Sequence, residues 1–579
     1  MKRKSIVYKG ICASPGIAMG KAFVFQDDDP LIMPKRMHTD DIKREIGRYN
    51  HALSRVKEDM MRTKEKMLKV LGKQHARLIE AYLLILDDPM MNRDVIKMIS
   101  LDKVTAEYAI TTILGNIGRS FDQLEDEYFR ERKDDIFDAG RKLLHYLMGI
   151  DKQSLEQLKD EAIVVAHNLT PSDTLNMREQ KVKGFATDMG GRTSHTAILA
   201  QSLEIPAVVG LREISRVIHT GDMLIIDGSQ GLVIVNPDTS TVHNYRRAIE
   251  IQLDEYRELE KLRDMPATTV DGHRLTLAAN IDSYDEIKSV LSHGSEGVGL
   301  YRTEYLFLNR SALPNEQEQF ENYSKIAKTM LPYSVTIRTM DVGGDKLMKM
   351  GVMNVDADKN PFMGLRSIRL CLKHPDVFKI QLRAILRASA VGKVRILYPM
   401  ISCLEELRSA NQILKEAKDE LSKERKEFDQ NMEVGIMIEV PSAALITDVL
   451  AKEVDFISIG TNDLIQYTLA VDRVNENVAH LYDPLHLAML RFIKFIVDAC
   501  HSSGKWVGMC GEMASDPMYT MVLLGFGLDE FSISSYAIPK IKGIIRASSF
   551  NKAQDLAQQV LQITDRQAIL KTIKRSQIR

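Results

Sequence analysis

The sequence predicts a multidomain α/β protein: a small α/β unit with an inserted helical bundle, a linker helix, and a C-terminal (β/α)8 barrel of the TIM type. Three observations carry this. Between strand-like segments, Thr39 to Leu147 is glycine-poor, with apolar residues at three- and four-residue spacing. Residues 239–264 contain no glycine or proline and many charges. From Leu275 onward, eight short apolar runs end in polar residues, most separated by helical patterns.

In chain order, residues 6–25 read as two short strands around the turn Ala13-Ser14-Pro15-Gly16. They are too few to stand alone and need later strands as partners. Helices are expected at 39–71, 74–87, 90–99, 103–127 and 130–147, punctuated by Asp87-Asp88-Pro89 and packed as antiparallel hairpins. Strand signals return at 162–166, 182–187, 206–209, 223–228 and 232–237. Within that group, Gly190-Gly191-Arg192-Thr193-Ser194-His195 breaks the chain before the apolar segment from Ala197. Ser or Thr in that place is a helix N-cap signal. His195 is therefore expected near a helix N-terminus, where free N–H groups and the helix dipole favour an anion. Its imidazole, with an ordinary pKa near neutrality, either caps and packs there or serves as a phosphoryl acceptor. Residues 239–264 then form a spacer helix, roughly 35–40 Å long at 1.5 Å per residue.

The barrel strands are read at 275–280, 297–302, 334–338, 394–399, 434–439, 456–463, 506–510 and 531–534, with helices at 403–428, 441–452 and 486–503 among the connections. In such a fold, the C-terminal strand ends form the active face. That face would gather Arg302, Arg338, Glu439, Asn462, Asp463 and Cys510, with Arg473 closing from the following loop. Arginines clamp phosphate and carboxylate. Glu439 and Asp463 offer two hard oxygen donors for Mg²⁺, whose shell substrate and water complete. Together they suit a small polyanion bearing both phosphate and carboxylate. A protonated thiol at Cys510 is placed to deliver a proton to carbon if the substrate is an enol phosphate.

Composition excludes several classes. The 579 residues carry a formal net charge of −1, which argues against bulk nucleic-acid binding. No apolar run reaches a membrane span, and the basic N-terminus lacks a signal-peptide apolar core. Five scattered cysteines without Cys-x-x-Cys spacing suit a reducing cytoplasm and argue against a disulfide framework or structural zinc.

Long stretches resemble one family closely. They are Ala13 to Ala18, Gly190 to Gly210, Gly299 to Glu304, Ile337 to Lys346, Gly435 to Glu439, Gly460 to Tyr467, Ala470 to Arg473 and Gly508 to Glu512. In order and across essentially the whole chain, they are similar to enzyme I of the phosphoenolpyruvate:sugar phosphotransferase system. The resemblance implies a phosphoenolpyruvate-protein phosphotransferase, with His195 as the phosphorylated residue and Cys510 as the proton donor. It implies phosphoenolpyruvate contacts at Arg302, Arg338, Asn462, Asp463 and Arg473, and Mg²⁺ ligands at Glu439 and Asp463. Arg366 and Arg369 match a basic loop near the substrate. It also implies a cytoplasmic homodimer joined through the barrel and a carrier-protein partner, HPr, with no membrane or nucleic-acid partner. The domains would be 1–27 with 154–238 (phosphohistidine), 28–153 (HPr docking), 239–265 (linker) and 266–579 (phosphoenolpyruvate binding and dimerisation). His195 would swing between barrel and carrier.

The chain departs from the family pattern at Val474, usually Gly, at Val440, commonly Thr, and at Phe137, usually Arg, although Arg132 is kept. Other readings are a dikinase-like enzyme, which needs a further ATP-binding domain, and a regulatory phosphotransferase paralogue, whose extra N-terminal sensor domain is not expected here.

Overall fold

Ile6–Lys9 (β1) and Ile11–Ser14 (β2) are separated by Gly10 alone, yet they lie at opposite ends of one eight-stranded sheet. The sheet must therefore curl until its edges meet. The computed structural model describes residues 5–25, 32–70, 79, 82–83, 85–122, 127–149, 158, 160–169, 181–191, 196–197, 200, 205–307, 312–344, 360–473, 475 and 477–577. They fall into two compact units divided between Leu253 and Asp254.

The sheet of the first unit continues with Ile17–Phe25 (β3), Ala162–Ala166 (β4), Val182–Thr187 (β5), Ala207–Val209 (β6), Met223–Asp227 (β7) and Leu232–Val235 (β8), in the order β1-β8-β7-β3-β4-β5-β6-β2. The first 25 residues thus give three strands where two were expected, because Gly10 interrupts the first run. The Pro15-Gly16 turn works because Gly16 takes φ +115°, a conformation costly for other residues. β4 is buried on both faces. Ile163 and Val165 enter the core inside the curled sheet, whereas Val164 and Ala166 pack among residues of the helical insert.

Those helices are Ile42–Val70 (α1), Pro89–Asp102 (α2), Ala106–Asp122 (α3) and Glu127–Met148 (α4). Asp88 caps α2, accepting from the N–H groups of Met90 and Met91 at 2.7 and 2.9 Å, with Pro89 opening the helix. Most of the helix expected at 74–87 lies outside the described residues. A helix over Thr239–Lys261 runs across the division between the units.

In the second unit, eight parallel strands close a barrel. They are Thr276–Ile281 (β9), Gly297–Tyr301 (β10), Ser334–Arg338 (β11), Val394–Tyr398 (β12), Val434–Ile438 (β13), Phe456–Ile459 (β14), Trp506–Met509 (β15) and Glu530–Ile533 (β16). The run read at 456–463 stops at Ile459. Gly460 turns the chain, and Thr461–Leu469 is helical, so Asn462 and Asp463 sit in a first helical turn. The helix expected at 441–452 is broken at Ile446 into Pro441–Leu445 and Thr447–Leu450. The one expected at 403–428 ends at Lys423.

At the opposite end of the barrel, Phe456 and Trp506 stack at 4.5 Å, and the Arg395 guanidinium lies 4.8 Å from the Trp506 ring. Glu530 is inserted beside them, where a Cβ at Gly299 would come within 2.7 Å of its Oε1. Burial pushes the Glu530 carboxyl up to about 7. The folded state therefore holds this proton to higher pH than the unfolded chain does. The stabilising contribution is complete below the ordinary value of 4.5 and is lost as pH rises through about 7. Glu530→Gln is thus expected to exceed the parent in stability by ~3 kcal/mol at about pH 8 and by nothing near pH 4.5. Denaturant unfolding at both pH values checks this, and a difference independent of pH would refute it.

Candidate active site at the barrel strand ends

Arg302, Arg338, Glu439 and Cys510 stand where a barrel strand stops, and Asn462, Asp463 and Arg473 come from the helix after β14 and the loop that follows it. Arg302 follows β10, and its Nη1 donates to Asp282 Oδ1 at 3.2 Å, just beyond β9. Arg338 is the last residue of β11, with its side chain only 12 % exposed. It forms ion pairs through Nη2 with Glu304 at 3.1 Å and through Nη1 with Asp341 at 3.0 Å. Arg366 comes from the loop before the helix Ser367–Lys373. It donates to Asp341 at 3.1 Å and forms an ion pair with Asp463 at 3.3 Å.

Glu439 follows β13 and is buried, with its Oε1 accepting the Met400 N–H at 2.7 Å. Burial raises its carboxyl well above the ordinary range. The neighbouring Asp341 and Asp463 add to the rise, and Arg338 opposes it. Cys510 follows β15 and is buried, its N–H donating to Ile459 O at 3.1 Å. Burial pushes its thiol up to about 11, against a hydrogen bond with Ser458 and the charge of Arg338. Asn462 and Arg473 meet on one carboxylate: Glu512 Oε1 accepts from Asn462 Nδ2 at 3.1 Å and from Arg473 Nη1 at 2.9 Å.

The barrel mouth thus brings Arg338, Arg366, Glu439, Asp463 and Cys510 into mutual electrostatic range. Arg302 acts on Cys510 from beside them, while Asn462 and Arg473 form a more exposed group with Glu512. Sequence reasoning missed Asp282, Glu304, Asp341 and Glu512. Each lies in or beside a quoted polar segment, but the pairings exist only once the strands are assembled.

Among the described residues no cluster of three or more His, Cys, Asp and Glu side chains could hold a metal ion. The fit to Mg²⁺ rests on two hard carboxylates, Glu439 and Asp463. Burial is the main reason that the Glu439 carboxyl is raised, and Asp341 and Asp463 add negative charge beside it that a divalent cation would offset.

His195 lies outside the described residues. Immediately after it, Thr196 is buried and donates its hydroxyl to Leu169 O at 3.0 Å. Before it, Gly190 takes φ +111°. The carboxylate of Asp188 accepts from the Ser215 N–H at 2.9 Å and lies 3.0 Å from His167 Nδ1.

Three family profiles match in succession: the PEP-utilising enzyme N-terminal domain over 9–132, its mobile domain over 158–231 and its PEP-binding domain over 256–550. The phosphoenolpyruvate-protein phosphotransferase of Bacillus subtilis is 43 % identical over 566 residues, 98 % of this chain and 99 % of that protein. The chain belongs to the phosphoenolpyruvate-protein phosphotransferase family. The Haemophilus influenzae member of this family is also 43 % identical, over 96 % of both chains. An Enzyme I protein solved in solution is 42 % identical, covering 42 % of this chain and 99 % of its own, with a TM-score of 0.37. The PEP-binding profile contains Arg302, Arg338, Glu439, Asp463 and Cys510, and the mobile-domain profile contains His195. Among the described residues no helix is long and apolar enough to cross a membrane.

Proposed function

We propose that this chain moves the phosphoryl group of phosphoenolpyruvate to its own His195 and then to a histidine of an HPr-type carrier protein, releasing pyruvate. This is the first step of a sugar phosphotransferase system. The observation that carries the reading is the joining of Arg338 and Arg366 with Glu439, Asp463 and Cys510 at one barrel mouth. Two adjacent guanidiniums answer a ligand with both phosphate and carboxylate. A buried, protonated thiol answers the need to protonate a carbon.

In this reading Arg302, Arg338, Asn462, Asp463 and Arg473 bind the substrate, with Arg366 beside them. Phosphoryl transfer then proceeds by positioning and electrostatic stabilisation. Neutral His195 attacks phosphorus, the bond to the enol oxygen breaks, and Cys510 gives its proton to the methylene carbon. Glu439 and Asp463 would hold Mg²⁺, which when bound supplies charge neutralisation at substrate oxygens.

The proposed domains follow the same division of labour. Residues 1–27 with 154–238 carry the phosphohistidine, 28–153 dock the carrier, 239–265 link, and 266–579 bind phosphoenolpyruvate and dimerise. The proposed setting is the cytoplasm, with the chain as a homodimer.

The full chain, given Mg²⁺, phosphoenolpyruvate and an HPr-type carrier, is expected to release pyruvate in step with carrier phosphorylation. Pyruvate formation without any protein-bound phosphate would refute the reading. Chelation of the cation is expected to stop the reaction. Glu439→Gln is expected to raise the Mg²⁺ concentration needed for half-maximal rate by ~10- to 100-fold, since half of the carboxylate pair is gone. An unchanged Mg²⁺ dependence would remove Glu439 from the cation site.

A further inference from the structure

Arg338 and Arg366 are not independent side chains. Asp341 Oδ2 forms an ion pair with Arg338 Nη1 at 3.0 Å, and Asp341 Oδ1 accepts from Arg366 Nη2 at 3.1 Å and from the Ser367 hydroxyl. One carboxylate therefore bridges two guanidiniums. A second carboxylate fixes the bridge. Glu304 Oε1, from the segment after β10, forms an ion pair with Arg338 Nη2 and accepts from the Asp341 backbone N–H, both at 3.1 Å.

Arg338, Glu304 and Asp341 thus close a ring through side chain and main chain. Side-chain exposure is only 12 % for Arg338 and 6 % for Asp341, so water is a poor substitute for these partners. Both Arg338 Nη groups are engaged, while its Nε–H is buried and has no hydrogen-bond partner among the described residues. A planar guanidinium held at both terminal nitrogens cannot turn about its own long chain. The spacing of the two positive charges is then set by the width of one carboxylate.

We propose that Asp341 and Glu304 are positioning residues, fixing the separation and orientation of Arg338 and Arg366 for a ligand bearing both phosphate and carboxylate. The proposal rests on the functional reading above, and it goes further in naming what holds the arginines. Two guanidiniums neutralised by two carboxylates present little net charge. Recognition then depends on the direction of N–H groups, which random repacking would not preserve.

The test uses the full chain with Mg²⁺ and phosphoenolpyruvate. Affinity is measured by titration calorimetry, alongside KM, kcat and thermal unfolding. Asp341→Asn is expected to weaken phosphoenolpyruvate binding by ~100-fold and Glu304→Gln by ~10-fold. In an Arg366→Lys background, Asp341→Asn should cost less than ~3-fold more, because the spacing it maintains is already lost. A purely structural role would lower the unfolding temperature and leave the two substitutions additive. Binding by Asp341→Asn within ~3-fold of the parent, or additivity with Arg366→Lys, would overturn the proposal. If Asp341→Asn does not fold, Glu304→Gln decides, and affinity within ~2-fold of the parent would overturn it. A parent chain that neither binds nor consumes phosphoenolpyruvate would overturn the functional reading and this proposal together. A working parent with an indifferent Asp341→Asn overturns this proposal alone.

Discussion

His195→Ala is expected to retain no acid-labile, alkali-stable label after incubation with phosphoenolpyruvate labelled in its phosphoryl group. Its pyruvate release in the presence of carrier should fall by at least ~10⁴-fold. Deleting the acceptor atom leaves no alternative path, since neither alanine nor a nearby hydroxyl is a comparable nucleophile at neutral pH. The surroundings in the first unit should survive the change. Thr196 is tied to Leu169 through its own hydroxyl, and Asp188 is held by Ser215. Binding of phosphoenolpyruvate should also survive, because the arginines lie in the other unit. The combination of retained affinity with lost label separates a missing nucleophile from a misfolded chain. Label retained on the alanine variant would move the phosphorylated residue elsewhere and break the proposed sequence of transfers.

The barrel was legible because each strand is a short apolar run that ends in a polar residue, and eight such runs fit one closed architecture. Legibility failed where a single glycine changes the path. Gly10 splits the opening segment into two strands, and Gly460 ends β14 before a helical turn that carries Asn462 and Asp463. It failed more instructively at the arginines. From the sequence they read as free clamps, but each is already paired. Arg302 meets Asp282, Arg338 meets Glu304 and Asp341, Arg366 meets Asp341 and Asp463, and Arg473 meets Glu512. Burying a guanidinium without a partner is costly, so a fold that places arginines in a cleft must also supply carboxylates. Sequence spacing does not reveal them. Glu512 lies 39 residues from Arg473, and Glu304 acts across a neighbouring strand.

Cys510→Ala should lower pyruvate formation by ~10²- to 10⁴-fold, the range expected for removing a general acid, while leaving phosphoenolpyruvate affinity nearly unchanged. The thiol sits behind β15 with its Sγ directed at Ile459 O and its main-chain carbonyl accepting from Asn280 Nδ2 at 3.2 Å. Truncation therefore removes a proton donor without disturbing the arginine bridge. The pH dependence adds a second constraint. Because burial pushes this thiol up to about 11, it stays protonated through the neutral range and loses its proton only as pH approaches that value. The acid should accordingly remain competent well past the point where an exposed cysteine, near 8.5, would have ionised. Cys510→Ser keeps the hydrogen bonding but substitutes a far weaker acid, so it should resemble alanine in rate and the parent in affinity. Unchanged turnover in either variant would mean that the proton reaching carbon comes from a group other than this thiol, and an alkaline limb near 8.5 that disappears on substitution would mean that the thiol titrates as an exposed cysteine does.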